Sequence, residues 1–444
     1  MYYYSSIFVF TSILENVKST IYSKDMYNLV MVEKVIAVID MRAFYSYVEC
    51  VDRGLDPYKT PLVVADKDRG VNTIILSVTP YLKSLGVPSR LRIKELPKRD
   101  DYIYAIPRME RYLERSSFVM SIILDYISQE DLHIYSIDEC FLNLGPYLRM
   151  YNMSAEQLVS KIKDDIYAQS GLECTIGISS NMFLAKIALD HYAKKSKNGI
   201  ATLKIEEIET KLWPITPLSK IWGIGHNLEA RLNYFGIYTV KDLALANRDF
   251  MRMHFGVIGD DLVDHANGID NSDIREKYIP KEVSLSQGQV LFRDYNKEEA
   301  KLIIKELMDD LLLRLRMENK LTSCVHLYIG YSKTGGFAKQ MSLLKPSDNN
   351  DIIYDALMEI YNKKIQDEPI RRISISLSKL TSVFGYLQMD LFISPEEEDK
   401  KRSLQYTIDA IQNKYGKNAL LRTSALLDSS TIKERHTFIG GHRR

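Results

Sequence analysis

The chain has 444 residues, and its 59 Lys and Arg against 58 Asp and Glu give a net charge of +1. The chain as a whole therefore has no positive field that would mark it as a nucleic-acid binder. Any DNA-binding surface must come from Lys and Arg that are separated from the acidic residues. The length predicts about two to four domains. The four cysteines, at positions 50, 140, 174 and 324, have no CxxC pair and no histidine spacing suited to zinc, which indicates reduced thiols of a cytoplasmic protein rather than a disulfide framework or zinc site.

The first 33 residues are set apart by an apolar, aromatic stretch, Tyr2–Leu14. It is too short to span a bilayer as a helix, and it lacks the basic segment and cleavage site of a signal peptide. We interpret residues 1–33 as an extension outside the main fold, with Met26 or Met31 as a possible natural start. A membrane-surface anchor is the alternative, and we expect no membrane partner.

Three acids lie in β-prone apolar runs. Val35–Asp40 ends on Asp40, and Ile134–Phe141 contains Asp138 and Glu139. Acids are depleted in strand interiors, and a buried unpaired carboxylate usually takes up a proton or a metal. Successive strand residues face opposite ways, so the second strand must end or bend at the acids. If the two strands are neighbours, the acids can hold two Mg²⁺ ions about 3.5 to 4 Å apart; solvated strand-end acids are the alternative.

Two segments, Ile39–Glu49 and Tyr135–Phe141, closely resemble the metal-binding motifs of Y-family translesion DNA polymerases, in particular the bacterial UmuC-like branch. The resemblance extends from about Val35 to about Phe392. It implies that two Mg²⁺ ions are bound by three carboxylates and one backbone carbonyl, namely those of Asp40, Asp138, Glu139 and Met41. The same three acids would be the catalytic residues.

The resemblance also implies residues of the nucleotide site. Tyr45, beside Phe44, matches the steric gate that excludes a ribose 2′-hydroxyl, although core packing is the alternative for both rings. In the fingers, Ser77 and Lys83 match positions that contact phosphate. Pro80 departs from the common pattern, in which a phosphate-binding Tyr stands there, and Lys83 replaces an Arg, so the bidentate fork is lost.

A strand, a turn with capping residues and a helix are predicted over Cys174–Ala188. Beyond it, Lys194 best matches the family's triphosphate-binding lysine. Lys195 and Lys197 remain open as substitutes, because the spacing before Asn198 and Gly199 is longer than in many relatives. A solvated basic loop is the alternative for each lysine.

DNA contacts are expected in two places. Gly223 and Gly225 resemble a helix-hairpin-helix, in which glycines let backbone amides approach a phosphate. From about Ser284 the pattern changes to alternating strands, and Arg372 and Ser374 fall on the polar face of one of them. The resemblance makes this the little-finger domain, whose polar sheet face lies along the DNA backbone.

A clamp-binding motif is predicted at Gln388–Phe392. It matches the bacterial sliding-clamp pentapeptide, with Gln388, Leu391 and Phe392 as the residues that fill pockets on the clamp. A buried edge strand is the alternative for this short match.

The predicted fold class is α+β: a right-hand polymerase with a ferredoxin-like palm, small fingers, a helical thumb with a helix-hairpin-helix, and a C-terminal little finger. The expected limits are 34–43 with 108–200 for the palm, 44–107 for the fingers, 201–275 for the thumb, 276–285 for a linker, 286–393 for the little finger and 394–444 for a C-terminal tail.

The predicted function is error-prone translesion synthesis in DNA repair and the SOS response, by a DNA-directed DNA polymerase without a proofreading site. Its partners would be primer-template DNA, deoxynucleoside triphosphates and a bacterial sliding clamp. One alternative is an accessory protein of the same fold that binds clamp and DNA but polymerises poorly. A metal-dependent cyclase or nucleotidyltransferase on a similar palm is a further alternative, but it explains neither the thumb glycines nor Gln388–Phe392.

Overall fold

A computed structural model describes residues 34–276, 280, 282–383 and 395–444. Its backbone divides into two compact units. The first holds the described residues before Asp66, then Ile74–Ala105 and the described residues from Tyr112 to 276; the second holds Asp66–Thr73, Ile106–Arg111 and the described residues that follow 276. In the part of the chain described, no helix has both the length and the hydropathy required to cross a membrane.

The palm is a five-stranded sheet in the order β5-β6-β1-β7-β8. Its strands are β1 Ile36–Met41, β5 Leu132–Ile134, β6 Glu139–Asn143, β7 Cys174–Ser179 and β8 Ile200–Thr202. The central strand β1 is antiparallel to β6 and β7, and β5 is antiparallel to β6. In chain order β1, β5, β6 and β7 follow the ferredoxin-like pattern: a helical crossover joins the first two strands, a hairpin joins the second and third, and another crossover leads to the fourth. This pattern confirms the predicted palm. Strand β8 adds a parallel strand at the edge.

The helices that connect the strands of this sheet bury apolar side chains, except for the short helix that follows β6. They are α1 Phe44–Asp52, α3 Met109–Leu124, α4 Gly145–Tyr151, α5 Ala155–Ser170 and α6 Met182–Ile187. Two polar caps begin helices of this set: Ser154 accepts from the Gln157 N–H in a capping box of α5, and Asn181 accepts from the Leu184 N–H at α6.

A three-stranded sheet in the order β3-β2-β4 forms the core of the fingers. Its strands are β2 Leu62–Val64, β3 Ser77–Val78 and β4 Ile103–Ala105. The short helix α2, Pro80–Ser84, follows β3 at once and buries Leu82. Proline is well tolerated here because the first helical residue has no intrahelical use for an N–H.

The thumb segment is helical, with α7 His226–Tyr234, α8 Val240–Ala244, α9 Arg248–Phe255 and α10 Val257–Ala266. These helices share an apolar core that includes Leu232, Leu243, Met251 and Leu262. The Thr239 hydroxyl and the Asp242 carboxylate form a reciprocal capping box at α8.

The second unit contains a four-stranded antiparallel sheet in the order β11-β10-β12-β9. Its strands are β9 Leu285–Tyr295, β10 Lys320–Tyr331, β11 Gly336–Ser347 and β12 Ile370–Ser382, and two helices pack on it, α11 Lys297–Met317 and α12 Asn350–Lys364. In β12 the buried residues Ile373, Ile375 and Leu377 alternate with more exposed polar ones, so the predicted half-buried strand is confirmed.

The last segment of the chain folds onto this unit. It comprises α13 Pro395–Tyr415, α14 Ile432–Arg435 and a terminal hairpin of β13 Phe438–Ile439 and β14 His442–Arg443. Arg316 of α11 donates to Asp409 of α13 at 2.5 and 3.2 Å. The sequence predicted this segment only as a C-terminal tail, with no contact for it.

Candidate active site

The three predicted acids meet where β1 ends and β6 begins in the palm sheet. Asp40 and Glu139 are directly opposed in the antiparallel pair of β1 and β6. Asp138 stands one residue before β6 begins, in a bend over residues 136–138, and its carbonyl accepts the Met41 N–H at 2.8 Å. The expected strand end is therefore present, and it places all three carboxyl groups beside the end of β1.

Burial shapes the electrostatics of two of these acids. Desolvation is the largest influence on both, and it raises the pKa of Asp40 and the pKa of Glu139 above their ordinary values despite nearby lysines that oppose it. The negative charge of Asp138 raises the pKa of Asp40 further. Burial disfavours ionised carboxylates, so the charged form of these acids is favoured only when cations lie close to them.

Two lysines supply such cations. Lys186 Nζ lies 2.6 Å from Glu139 Oε1, and Lys194 Nζ lies 3.1 Å from Asp40 Oδ2. Asp190 stands between the lysines, 3.2 Å from Lys186 and 2.7 Å from Lys194. Burial alone would raise the pKa of Asp190, but the hydrogen bond and charge of Lys194, with those of Lys186, hold that pKa below its usual range.

The helical segment that carries these charges changes its winding. The α-helix α6 ends at Ile187, a π-helical turn follows over Ala188–Tyr192, and a 3₁₀ turn covers Ala193–Lys195. Lys186, Asp190 and Lys194 are spaced four residues apart, so they share one side of the segment. Single π turns inside helices occur often at functional sites.

Gly177 of β7 lets this segment approach the sheet. A Cβ on Gly177 would overlap the Ala185 carbonyl oxygen and the Leu189 nitrogen. Only glycine allows backbone to pack on backbone so closely, and this contact places the lysines over the acids.

The acids have the donor chemistry that a magnesium site requires, since Mg²⁺ prefers hard oxygen ligands. Their side chains, however, face different partners: Asp138 Oδ1 accepts from the Ser136 hydroxyl at 2.7 Å, while Asp40 and Glu139 face lysines. Within the described residues, no group of three or more His, Cys, Asp or Glu side chains is already arranged to hold a metal ion. Metal binding by these residues and by the Met41 carbonyl stays a prediction.

Tyr45 lies in the first turn of α1, close to the acids. Its ring is 5.6 Å from that of Phe44 and 5.0 Å from that of Tyr112. Burial, followed by the charge of Asp138, raises the pKa of the Tyr45 phenol. Phe44 is only 2% exposed, so it packs beneath the site, whereas Tyr45 is partly open to it.

The fingers residues are placed less uniformly. The buried Ser77 hydroxyl lies 3.0 Å from the Ser46 hydroxyl, so it already has a protein partner. Lys83, on α2, is exposed by surface area, yet desolvation by the surrounding protein lowers its pKa, and the charge of Asp40 acts in the opposite direction. Pro80 is the first residue of α2. The phosphate roles of Ser77 and Lys83 remain predictions.

The expected DNA-contact residues fall in separate units. Gly223 has a positive φ of 90°, Gly225 is the N-cap of α7, and neither has an atom within 4 Å of an added Cβ. In the second unit, Arg372 stacks over the Tyr328 ring at 5.7 Å, and Ser374 is opposite Gly288 in the sheet. The predicted clamp residues, Gln388, Leu391 and Phe392, lie outside the described residues.

Sequence reasoning assigned no role to Lys186 or Asp190. Their charges alternate with Lys194 at helical spacing, and that pattern was a usable signal. It could not show that the lysines face Asp40 and Glu139, because these acids are distant in the chain.

Family models match three stretches of the chain: the impB/mucB/samB family over residues 39–190, the IMS family HHH motif over 206–237 and the impB/mucB/samB family C-terminal domain over 282–391. The UvrX protein of Bacillus subtilis (strain 168) is 33% identical over 92% of this chain and 98% of its own length. The chain belongs to the impB/mucB/samB family, a group of Y-family DNA polymerases.

Two more relatives of this Y-family chain agree. DNA polymerase IV 2 of Bacillus subtilis (strain 168) is 30% identical over 93% of this chain and 99% of that protein. A solved Y-family DNA polymerase chimera, Dbh-Dpo4(243-245)-Dbh, superimposes with a TM-score of 0.64 at 21% identity, covering 78% of this chain and 99% of the chimera. The latter likeness shows the shared fold.

Proposed function

We propose that this chain is a template-directed DNA polymerase that performs error-prone translesion synthesis in DNA repair and the SOS response. The observation that carries the proposal is the direct opposition of Asp40 and Glu139, with Asp138 beside them, where β1 of a ferredoxin-like palm ends and β6 begins. Family membership supports the reaction class, and these acids supply its site.

Asp40, Asp138 and Glu139, with the Met41 carbonyl, would hold two Mg²⁺ ions. When bound, the ions supply activation of the primer 3′-hydroxyl and charge neutralisation of the leaving pyrophosphate. The chain's own contribution is to hold the carboxylates together on two hydrogen-bonded strands, so that little reorganisation is needed when the substrate arrives.

Tyr45 is proposed as the steric gate. It is held between Phe44 and Tyr112 by ring contacts, so its position beside the acids is fixed by packing rather than by loop conformation. A rigid ring under the sugar would exclude a ribose 2′-hydroxyl, and deoxynucleoside triphosphates would be selected.

Phosphate binding is assigned to Lys194, with Lys83 and Ser77 as further contacts. The charges of Asp40 and Asp138 both act on the pKa of Lys83, which supports a place for Lys83 near the acids. As a point charge, Lys83 can neutralise a phosphate without an arginine's bidentate geometry.

DNA would be held by contacts that position it without reading sequence. Gly223 and Gly225 leave open space at their Cα atoms, so the backbone there can approach a phosphate. In the little-finger sheet, Ser374 lies opposite Gly288, and its small side chain would let a DNA phosphate come close to the backbone. Arg372 adds a charge to that face.

We also propose that Gln388, Leu391 and Phe392 bind a bacterial sliding clamp and that the protein works in the cytoplasm. The sequence match to the clamp pentapeptide supports the first point. An accessory protein that binds DNA and clamp without polymerising is the outcome that the following experiment can distinguish.

The test is primer extension with Mg²⁺ on undamaged and abasic templates, with and without a sliding clamp. We expect the intact chain to extend both templates and the variant Asp138→Asn/Glu139→Gln to bind primer-template but not extend it. A matched control is Lys161→Ala, which changes an exposed charge on α5. Binding without extension by the intact chain would instead identify an accessory protein.

A further inference from the structure

We propose that Asp190 is a positioning residue: it tethers Lys186 and Lys194, which act as built-in counter-ions of the acid pair, and it keeps Lys194 in reach as Lys194 moves from Asp40 to the triphosphate. This inference rests on the proposed polymerase function. It gives the charge chain beside the acids a role in coupling metal and nucleotide binding.

The geometry is a continuous chain of five charges. Glu139 contacts Lys186, Lys186 contacts Asp190, Asp190 contacts Lys194, and Lys194 contacts Asp40, at 2.6, 3.2, 2.7 and 3.1 Å. Asp190 is the central link, because each of its oxygens lies nearest a different lysine. Removing its charge would free both lysines from their common anchor.

The two lysines differ in freedom. Lys186 has a side chain only 9% exposed and sits on α6, where Asn181 caps the helix. Lys194 has a side chain 39% exposed and belongs to the final 3₁₀ turn. Lys186 is therefore the fixed counter-ion of Glu139, whereas Lys194 has room to exchange one oxygen partner for another.

The π turn sets which lysine does this. Residues Ala188–Tyr192 are wound at the wider π pitch, and Lys194 is the lysine that then contacts both Asp40 and Asp190. Lys195 and Lys197, which the sequence left open, are exposed like Lys194, so it is the contacts with Asp40 and Asp190 that single out Lys194. The wider turn therefore directly precedes the lysine that lies over the acids.

Competition follows from this contact. A cation that binds Asp40 through Oδ2 must displace the Lys194 ammonium, which makes a single contact there and no bidentate fork. A triphosphate would draw Lys194 away from Asp40 and so favour that cation. By linkage, the cation would favour the triphosphate by the same factor.

The first test measures Mn²⁺ binding to the nucleotide-free protein by electron paramagnetic resonance. Lys194→Ala should raise Mn²⁺ affinity by about tenfold, within the usual range of coupling between sites, because it removes the competing ammonium. Lys161→Ala should leave the affinity unchanged. Unchanged or weaker Mn²⁺ binding by Lys194→Ala would overturn the proposal, and this outcome does not depend on polymerase activity.

The second test separates KM from kcat in single-nucleotide extension. Asp190→Asn should raise KM for the nucleotide by about tenfold with a smaller change in kcat and no change in primer-template affinity. Asp190→Glu should restore part of the loss, since it keeps the anchoring charge. A variant Asp190→Asn with normal KM, shown to be folded by its melting curve, would contradict the tether.

Failure of this proposal can be told apart from failure of the proposed polymerase function. If the intact chain extends no primer, the polymerase proposal fails while the Mn²⁺ result still reports whether Lys194 competes for Asp40. If Asp190→Asn does not fold, Lys194→Ala, which alters a partly exposed side chain, can still overturn the proposal by showing that Lys194 does not compete with the cation for Asp40.

Discussion

Two clusters of ion-paired side chains in this chain each combine an Asp and a Glu, but one pairs them with lysines and the other with an arginine. In the palm, Asp40 and Glu139 face Lys194 and Lys186. In the second unit, Glu306 and Asp310 of α11 face Arg435 from the last segment of the chain. Under the proposed function the first cluster admits substrates and exchanges partners, whereas the second holds two parts of one unit together.

The second cluster is saturated with hydrogen bonds. Arg435 donates to Asp310 Oδ2 through Nε and Nη2, at 3.0 and 2.9 Å, and His436 Nε2 lies 2.7 Å from Asp310 Oδ1. Glu306 accepts from the Ser430 hydroxyl at 2.5 Å and from the Thr431 N–H at 3.2 Å. Two guanidinium N–H groups thus converge on one carboxylate oxygen, and such charge-assisted hydrogen bonds are stronger than neutral ones.

The direction of the pKa shifts separates the clusters. For Asp310, burial alone would raise the pKa, but the His436 hydrogen bond and the charges of Arg435 and His436 bring it below the ordinary value. Burial prevails at Asp40 and Glu139, whose pKa values are raised. Ionised Asp310 therefore favours the folded state, and the ionised palm acids oppose it, which is common for acids kept for function.

The largest expected effect is a loss of catalysis, caused by a substitution that breaks the palm cluster and leaves the fold intact. Asp40→Asn should reduce primer extension by about 10²–10³-fold or more, the scale for loss of one transition-state electrostatic group. Its melting temperature without metal should be unchanged or higher, because a neutral side chain avoids the desolvation that raises the pKa of Asp40. A clearly lower melting temperature would show that Asp40 is structural.

Asp310→Asn should have the opposite profile. Breaking a buried ion pair leaves Arg435 under-compensated and costs about 3–5 kcal/mol, so urea denaturation should show an early transition for the second unit. As a surface control, Lys363→Ala removes a partly exposed pair with Glu359 and should cost little. Equal losses in the two variants would mean that the cluster does not anchor the last segment.

Gly177→Ala sharpens the comparison by moving the palm lysines rather than removing them. The added methyl group overlaps backbone atoms of Ala185 and Leu189, and such overpacking costs about 1–3 kcal/mol. The KM for the nucleotide should rise together with this loss of stability, because the helical segment that carries Lys186 and Lys194 must shift. Gly225→Ala meets open space and should melt like the intact chain.

The smallest expected effect is a pH dependence of opposite sign in the two clusters. Because the folded pKa of Asp310 lies below its unfolded value of about 3.9, its contribution is complete above that value and is lost as pH falls through the folded pKa. Asp40 has a raised folded pKa, so its unfavourable contribution is present above that pKa and disappears as pH falls toward about 3.9.

Urea denaturation of metal-free protein between pH 7 and 3 measures this difference. The stability gap between the intact chain and Asp310→Asn should shrink on acidification, and any advantage of Asp40→Asn should vanish over a higher pH range. A gap for Asp310→Asn that widens as pH falls would show that the carboxylate is not the stabilising form.

Much of the site was predictable because it is local. An acid at the end of an apolar run, a bend before Glu139 and the alternation through Ile373–Leu377 are all visible in short stretches, and the structure confirms each of them. The ferredoxin-like palm and the helical thumb were predicted through the resemblance to Y-family polymerases, whose motifs lie on single elements.

Tertiary structure alone decided which charges meet. Lys194 pairs with Asp40 across 154 residues of chain, and Arg435 pairs with Asp310 across 125; no periodicity encodes such partners. The hydrogen bond between Ser77 and Ser46 and the π turn before Lys194 depend in the same way on packing. The sequence by itself determined the elements and the three acids, because backbone preference and hydrophobic period act over a few residues. The fold decided the cations that face those acids, because electrostatic partners are selected by proximity in space.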